Sequence, residues 1–171
     1  MNFERLEKNL IDNICEAQLK IGFEKRPISF NYTKKSLCHL LNVNDITDNI
    51  LSEFKSEKIG EITFRPIKSG FCITVSEKGA EYVHENCTGG FIADLIDTVR
   101  QHGKSLDDIF NIFKKYSENV CIEQKNNGEF DYLVYFSDGI PDSYYYCITD
   151  EGMHITYHRF IKEDYEDFDF N

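Results

Sequence analysis

Long hydrophobic runs are missing from this sequence of 171 residues. A membrane-spanning helix needs about 20 consecutive, predominantly apolar residues, so we expect no membrane contact. The first residues, 1–5, also lack the basic and then apolar build of a secretory signal peptide. The absence of both features predicts a cytoplasmic protein.

Motifs that carry chemistry are equally scarce. The sequence contains no glycine-rich phosphate loop, no Cys-x-x-Cys pair and no recognisable catalytic motif. We therefore expect no cofactor and favour a non-enzymatic protein, with an unrecognised enzyme as an open alternative. Isolated cysteines in a reducing compartment are typical of small apolar core residues. The six cysteines that fit this interpretation are Cys15, Cys38, Cys72, Cys87, Cys121 and Cys147.

Positive charge is in short supply in the second half of the chain. Residues 1–90 carry 12 lysine and arginine residues against 13 aspartate and glutamate residues, a net charge of −1. Residues 91–171 carry 7 against 17, a net charge of −10, which completes the −11 of the whole chain. An acidic surface repels nucleic acid and anionic membranes and favours basic partners.

The first half begins with an amphipathic helix pattern. Apolar residues recur at helical spacing over residues 3–21, and Gly22 follows as a predicted C-cap. A short strand is predicted at residues 28–30. Thr33 is then expected to cap a second helix that ends at Leu41.

Two further features complete a pattern that resembles a winged helix-turn-helix. Asp45 is predicted to cap a helix over residues 46–58. Apolar and polar residues then alternate over residues 62–75 around a turn at Lys68–Gly70, which predicts a hairpin. Ser76 is the predicted N-cap of a closing helix.

The second half changes from helix patterns to strand patterns. Paired glycines at 89–90 mark a predicted boundary between two domains, 1–88 and 89–171. Runs of helices followed by runs of strands predict an α+β fold, in which two helices and a mostly antiparallel four-stranded sheet follow the winged-helix-like half. The helices are predicted over 91–101 and from Ser105 onward, and the strands over 120–122, 130–137, 144–148 and 153–160.

The last two strands are predicted to form a hairpin around residues 149–152, which places Cys147 opposite His154. On this register two faces are predicted. One face carries Tyr144, Tyr146, Ile148, Met153, Ile155 and Tyr157, and the other carries Tyr145, Cys147, His154, Thr156 and His158. The tail, residues 163–171, interleaves acidic and aromatic residues and is either a frayed terminus or a docking segment.

Four residues of the second face form a predicted interaction surface: Tyr145, Cys147, His154 and His158. We expect no metal there, because a strand separates the two histidine rings by about 13 Å and zinc needs converging ligands. A thiolate–imidazolium pair of Cys147 and His154 stays open as a nucleophile, although nothing indicates an oxyanion pocket. We interpret the tyrosines as amphipathic core edges, and an exposed tyrosine-rich face would favour self-association.

DNA binding is the alternative role for the first half. The helix at 46–58 would enter the major groove, but it carries acidic residues such as Asp48 and Glu53, which phosphates repel. We therefore predict a protein-interaction or regulatory module and consider nucleic acid a disfavoured partner. A DNA-binding regulator restrained by its acidic half is the runner-up. Its candidate phosphate contacts are Lys34, Lys35, Lys55, Arg65 and Lys68.

Three stretches near the N-terminus resemble a known family. They are Leu6–Asp12, Gln18–Phe23 and Ser36–Leu41. They are similar to a small bacterial family described only as a domain of unknown function, number 3877. The resemblance implies a bacterial, intracellular origin and assigns no activity, ligand or site residue.

Overall fold

The computed structural model describes residues 1–87 and 89–168. The chain divides into two compact units, Met1–Thr88 and Gly89–Asn171. Helices and antiparallel sheets make up both units, which confirms the predicted α+β class.

The N-terminal unit combines four helices with a three-stranded sheet in its described part. In chain order its elements are α1 (Phe3–Ile21), β1 (Ile28–Thr33), α2 (Lys34–Leu41), α3 (Asp48–Ser52), β2 (Ile62–Ile67), β3 (Gly70–Val75) and α4 (Glu77–Asn86).

Strand β3 lies in the middle of this sheet and pairs antiparallel with β1 and β2. Ile73 is fully buried between Phe30 and Phe64, and this row defines the inner face. At Gly70 the chain passes so close to β1 that an added Cβ would collide with the Tyr32 carbonyl oxygen. Only glycine permits this approach, and it brings β1 against the hairpin.

The first two helices follow their sequence signals. The predicted bounds of α1 are confirmed, and its apolar stripe is buried from Leu6 to Ile14, although Ile21 is exposed rather than packed. Gly22 follows with a φ of 89°, which glycine adopts without strain. Thr33 caps α2 as predicted, because its hydroxyl accepts a hydrogen bond from the Ser36 N–H at 3.0 Å.

The third helix is much shorter than the predicted range of 46–58. Helix α3 has only five residues, and its N-cap residue is Thr47, which makes no side-chain capping hydrogen bond. The predicted cap, Asp45, pairs with Lys34. Beyond α3 the Ser56 hydroxyl donates to Glu7 and accepts from the Ile59 N–H, which holds the chain in a turn. Ile46, Leu51 and Phe54 are buried, so these members of the apolar pattern reach the core without a long helix.

Helix α4 starts where the sequence predicted, but its cap differs. Ser76 precedes it with an extended backbone and makes no side-chain capping hydrogen bond. Gly79 lies in the first turn, where an added Cβ would meet a Val75 methyl and lie 3.2 Å from the Ile59 Cβ. The missing side chain of Gly79 therefore lets α4 pack directly on the hairpin and the preceding loop.

The described part of the C-terminal unit contains three helices and a four-stranded antiparallel meander in the order β4-β5-β6-β7. Its elements are α5 (Phe91–Val99), α6 (Leu106–Tyr116), β4 (Val120–Gln124), β5 (Tyr132–Phe136), β6 (Tyr144–Asp150), β7 (Ile155–Ile161) and α7 (Lys162–Asp167).

Aromatic rings fill the core between the two long helices and the sheet. Phe91 of α5 and Phe113 of α6 lie with their centroids 4.9 Å apart. Both pack against Phe136 and Tyr146 of the sheet at centroid distances of 5.0 to 5.6 Å. Such edge-on clusters bury large apolar area in favourable ring geometries. Tyr146 is fully buried, so this tyrosine lies in the core itself rather than at an amphipathic core edge.

The predicted register of the last hairpin is wrong. Strand β6 continues to Asp150 and β7 begins at Ile155, so Cys147 lies opposite His158 rather than His154. The Asp150 carboxylate accepts a hydrogen bond from the Gly152 N–H at 2.9 Å, and Gly152 has a φ of 89°. These contacts shift the turn by two residues, so Met153 and His154 lie in the turn and on neither face. For the strand residues the predicted division into two faces is retained, because side chains alternate with a period of two.

The acidic and aromatic tail forms α7 within the described residues. Its Tyr165 ring packs against Phe130 and Tyr145 at centroid distances of 6.2 and 5.3 Å. The tail therefore docks on its own sheet as far as Phe168, and residues 169–171 of the prediction lie outside the described part of the chain.

Candidate functional site

The residues proposed as phosphate contacts differ in their surroundings. Lys34 at the start of α2 forms an ion pair with Asp45, with 2.6 Å between the lysine amine and a carboxylate oxygen. The hydrogen bond from Lys34 is the main cause of the lowered pKa of Asp45. Lys55, Arg65 and Lys68 are exposed in the loop after α3, on β2 and in the hairpin turn.

Helix α3 is poorly built for reading DNA. It spans Asp48–Ser52 and contains no basic residue. At 1.5 Å per residue it is about 7.5 Å long, so it presents little more than one turn to a groove. Asp45 and Asp48 lie just before it and in its first turn, where their charge opposes that of phosphates.

The outer face of the N-terminal sheet is polar. Ser29 and Thr74 share a hydrogen bond of 2.7 Å across β1 and β3. Thr63 completes this row, because it pairs with Thr74, and Arg65 lies exposed in the next row. Hydroxyl groups beside one guanidinium can form directional contacts with another protein surface.

A buried polar cluster lies on the opposite side of this sheet. The Tyr32 hydroxyl donates to the Asn9 side-chain oxygen at 2.8 Å, and the Asn13 amide donates to the Tyr32 hydroxyl at 2.9 Å. No motif in the sequence predicts this cluster. Its only signal is an asparagine at position 9, between Leu6 and Leu10 on the buried stripe of α1.

The outer face of the C-terminal sheet is covered rather than open. Phe130, Leu133 and Cys147 are at most 5% exposed, and Tyr135, Tyr145, Phe160 and Tyr165 pack against them. The Tyr135 and Tyr145 rings stack with centroids 4.4 Å apart. This covering removes the basis for self-association through an exposed tyrosine-rich face.

The proposed nucleophile is not assembled. Burial raises the pKa of the Cys147 thiol to about 12, so the thiol is protonated at neutral pH. A nucleophilic cysteine needs the opposite shift. His154 lies in the turn, where its Nε2 is 2.7 Å from a Glu151 oxygen, and His158 is the residue across from Cys147.

The four residues of the predicted interaction surface are thus separated by their environment. Tyr145 and Cys147 lie beneath α7, His158 is exposed on β7 and His154 is exposed in the turn. Among residues 1–87 and 89–168, neither histidine belongs to a group of three possible metal ligands.

A second buried hydroxyl organises the start of β6. The fully buried Tyr146 donates a hydrogen bond to the Asp142 carboxylate at 2.7 Å. Burial, and then the charge of Asp142, raise the pKa of the Tyr146 phenol well above its usual range. The Arg159 guanidinium lies 4.3 Å from the centroid of the Tyr144 ring in the same region. The hydrogen bond between the neutral Tyr146 phenol and Asp142 holds the loop before β6 in place.

Fold and side chains together define a two-unit α+β protein without an assembled catalytic group among the sites considered above. The chain belongs to the family described as "Domain of unknown function, E. rectale Gene description (DUF3877)", whose model matches residues 3–168. This match confirms the family resemblance of the N-terminal stretches and extends it over nearly the whole chain. Searches of curated proteins and of solved structures returned no match.

The helices in the described part of the chain were compared with the requirements for spanning a membrane. Within residues 1–87 and 89–168, none combines the length and the hydropathy that a spanning segment needs.

Proposed function

We propose that this chain is a non-enzymatic, cytoplasmic regulatory module whose N-terminal, winged-helix-like unit docks on a protein partner through the outer face of its sheet. The order α1, β1, α2, α3 and a hairpin supports the winged-helix comparison. Six free cysteines support a reducing compartment.

The observation that carries the proposal is the form of α3. A groove-reading helix needs length, and affinity for DNA needs several lysine or arginine residues on phosphates. Helix α3 has five residues, begins with Asp48 and has no basic side chain. The polar outer face, with Ser29, Thr63 and Arg65, is the better recognition surface of this unit.

The first test separates DNA from protein as the partner. We expect no saturable binding of labelled mixed-sequence duplex DNA to the full chain, measured by fluorescence anisotropy at low salt. Binding that weakens steeply with salt, and that Arg65→Ala or Lys68→Ala removes, would instead support the restrained DNA-binding regulator.

The second test locates the protein contact in cells of the source organism. A photo-crosslinking amino acid at Thr63 or Arg65 should yield a discrete crosslinked protein, whereas the same label at the exposed Lys78 of α4 should not. Equal crosslinking from both positions, or crosslinks that nuclease treatment removes, would contradict docking through the outer face.

A further inference from the structure

The N-terminal sheet has two edges, because the central strand β3 has β1 on one side and β2 on the other. An edge strand carries a row of backbone N–H and C=O groups that no neighbouring strand bonds. Such a row can pair with an extended segment of another chain when nothing blocks it. The two edges of this sheet differ in that respect.

The open edge of β1 presents the backbone of Ser29 and Asn31. An added Cβ at Gly70 would collide with the Tyr32 carbonyl oxygen, so the backbone of Tyr32 faces β3. In an antiparallel pair, residues that bond the neighbouring strand alternate with residues whose N–H and C=O groups point away from it. Ser29 and Asn31 are therefore the residues that point to the open side, and both are exposed. Among the described residues, no turn, loop or side chain bonds to these backbone groups.

The edge of β2 is blocked by a proline. Phe71 lies opposite Tyr32 on one side and Pro66 on the other. Since Tyr32 and Phe71 bond each other, the backbone of Pro66 points to the open side of β2, where it has no N–H to donate. Proline at an edge protects a sheet against the addition of a strand. Strand β1 contains no proline, so this protection is missing there.

The side chains along β1 indicate which segment fits. On the inner face, Ile28 and Phe30 are only half-buried. A cavity of about 230 Å³ lies beside Ile28 and is also lined by Ile21 of α1, which is 76% exposed. On the outer face, Ser29 shares its hydrogen bond with Thr74. An added strand with apolar residues on one face and polar residues on the other would cover the first set and extend the second.

We propose that β1 is the docking edge for an extended segment of the protein partner, which joins the sheet as a fourth strand. Its backbone bonds the N–H and C=O groups of Ser29 and Asn31. Its apolar side chains lie beside Ile28 and Phe30, and one of them enters the cavity at Ile21. This inference rests on the function proposed above, because the added strand continues the same outer face and names the kind of segment that the partner presents.

Peptide selection on the full chain tests this class of ligand. The probe is a phage-displayed library of random linear peptides about 10 residues long, which covers the usual length of a strand. We expect enriched peptides in which apolar residues alternate with polar residues. With a synthetic copy of an enriched peptide, hydrogen exchange should slow at the Ser29 and Asn31 amides. An absence of enrichment, or apolar residues at helical spacing in the enriched peptides, would overturn the proposal.

A backbone substitution at the edge gives the sharpest variant. Asn31→Pro removes one N–H from the open side and should weaken binding of the synthetic peptide about tenfold. Proline is tolerated at this position of an edge strand, because the N–H that it lacks faces solvent. Asn31→Ala keeps the N–H and should bind as the unaltered chain does. Equal binding by Asn31→Pro and Asn31→Ala would contradict strand addition.

The cavity has its own matched pair of variants. Ile21→Glu places a charge at the cavity and should weaken binding, whereas Ile140→Glu, at an exposed isoleucine of the C-terminal unit, should not. Equal affinity of these two variants for the peptide would contradict the use of the cavity.

Methylation of the peptide backbone tests the edge without altering the protein. N-methyl groups on the residues whose N–H groups face β1 should abolish binding, and N-methyl groups on the alternate residues should leave it intact. The same loss from both sets of positions would overturn the proposal.

The outcomes also separate this inference from the function on which it rests. Peptide binding that Arg65→Ala weakens and Asn31→Pro does not would support docking on the outer face and overturn strand addition. Docking itself is judged by the crosslinks from Thr63 and Arg65 in cells, which do not depend on the peptide. A dimer that light scattering detects in the unaltered chain and that Asn31→Pro abolishes would assign the edge to a second copy of the chain and overturn a partner segment.

Discussion

The Tyr32 hydroxyl and the Asn9 side-chain oxygen are joined by a hydrogen bond of 2.8 Å between α1 and β1. Asn9 is 7% exposed, and its oxygen also accepts from the Asn13 amide at 3.1 Å. Buried polar groups are stable only when they are hydrogen-bonded, so these side chains hold one another in place. The cluster fixes the position of β1, the edge strand of the polar outer face, on the first helix.

Removing the hydroxyl should therefore lower stability. Tyr32→Phe leaves the ring in place but deletes the bonds to Asn9 and Asn13, and we expect the free energy of unfolding to fall by about 1–2 kcal/mol. Urea denaturation monitored by circular dichroism measures the change. Tyr82→Phe on the half-buried side of α4 is the matched control, with an expected change below about 0.5 kcal/mol. Equal losses in both variants would contradict a special role for this cluster.

At Gly79, the effects of helix propensity and of packing on the stability of an alanine variant are opposite. Alanine in place of glycine favours a helix by about 1 kcal/mol. At Gly79, however, the new Cβ would collide with a Val75 methyl and crowd Ile59 at 3.2 Å. Overpacking of this kind costs about 1–3 kcal/mol, so we expect net destabilisation from Gly79→Ala.

The control for this substitution is Gly89→Ala, where an added Cβ meets nothing within 4 Å. Thermal unfolding should show a lower melting temperature for Gly79→Ala and little change for Gly89→Ala. A raised melting temperature for Gly79→Ala would show that the hairpin yields to the added methyl.

Local signals explain which parts of the fold could be predicted. The bounds of α1 and α2 depend on capping residues and apolar spacing within each segment, and the sequence contains both. The end of α3 depends on Ser56 and Glu7, which are 49 residues apart. No spacing rule connects such a pair, so the predicted helix ran past its true end.

In the candidate site, too, local features could be predicted and contacts between distant segments could not. The alternation of side chains correctly assigned Tyr145 and Cys147 to one face, because the period of a strand is fixed. Their covering by Tyr165 depends on the return of an acidic segment to the sheet. A composition argument treats such a segment as solvated, so a face predicted to be available proved to be occupied.

Two serines occupy the N-cap position of a helix, but only one of them makes a capping hydrogen bond. Their variants show how much of the stabilisation comes from that bond. Ser105 accepts a hydrogen bond from the Asp108 N–H at 3.3 Å, and the Asp108 carboxylate accepts from the Ser105 N–H at 2.8 Å. Ser76 holds the same position before α4 without a capping bond. We expect Ser105→Ala to cost about 1 kcal/mol and Ser76→Ala less than half of that. Urea midpoints of the two variants provide the measurement, and equal losses would show that position alone decides.

One contact between α5 and α6 should contribute to the loss of stability in acid. The Asp94 carboxylate lies 2.8 Å from the Lys115 amine and 2.6 Å from the Tyr116 hydroxyl. The hydrogen bond from Lys115, and then that from Tyr116, lower the pKa of Asp94 below its ordinary value of 3.8. Because the folded-state pKa is the lower one, the stabilisation is present above pH 3.8 and is lost as the pH falls through the folded-state pKa.

Asp94→Asn should therefore reduce the free energy of unfolding at neutral pH and flatten its decline below pH 3.8, because asparagine cannot titrate. Urea denaturation at a series of pH values from neutral to strongly acidic measures both effects. Asp97→Asn, on the exposed side of α5, leaves the contact with Lys115 intact and should retain the acid decline of the unaltered chain. High salt should weaken the effect of Asp94→Asn, since exposed ion pairs are screened. An acid decline that is the same in the Asp94→Asn and unaltered chains would assign it to other carboxylates.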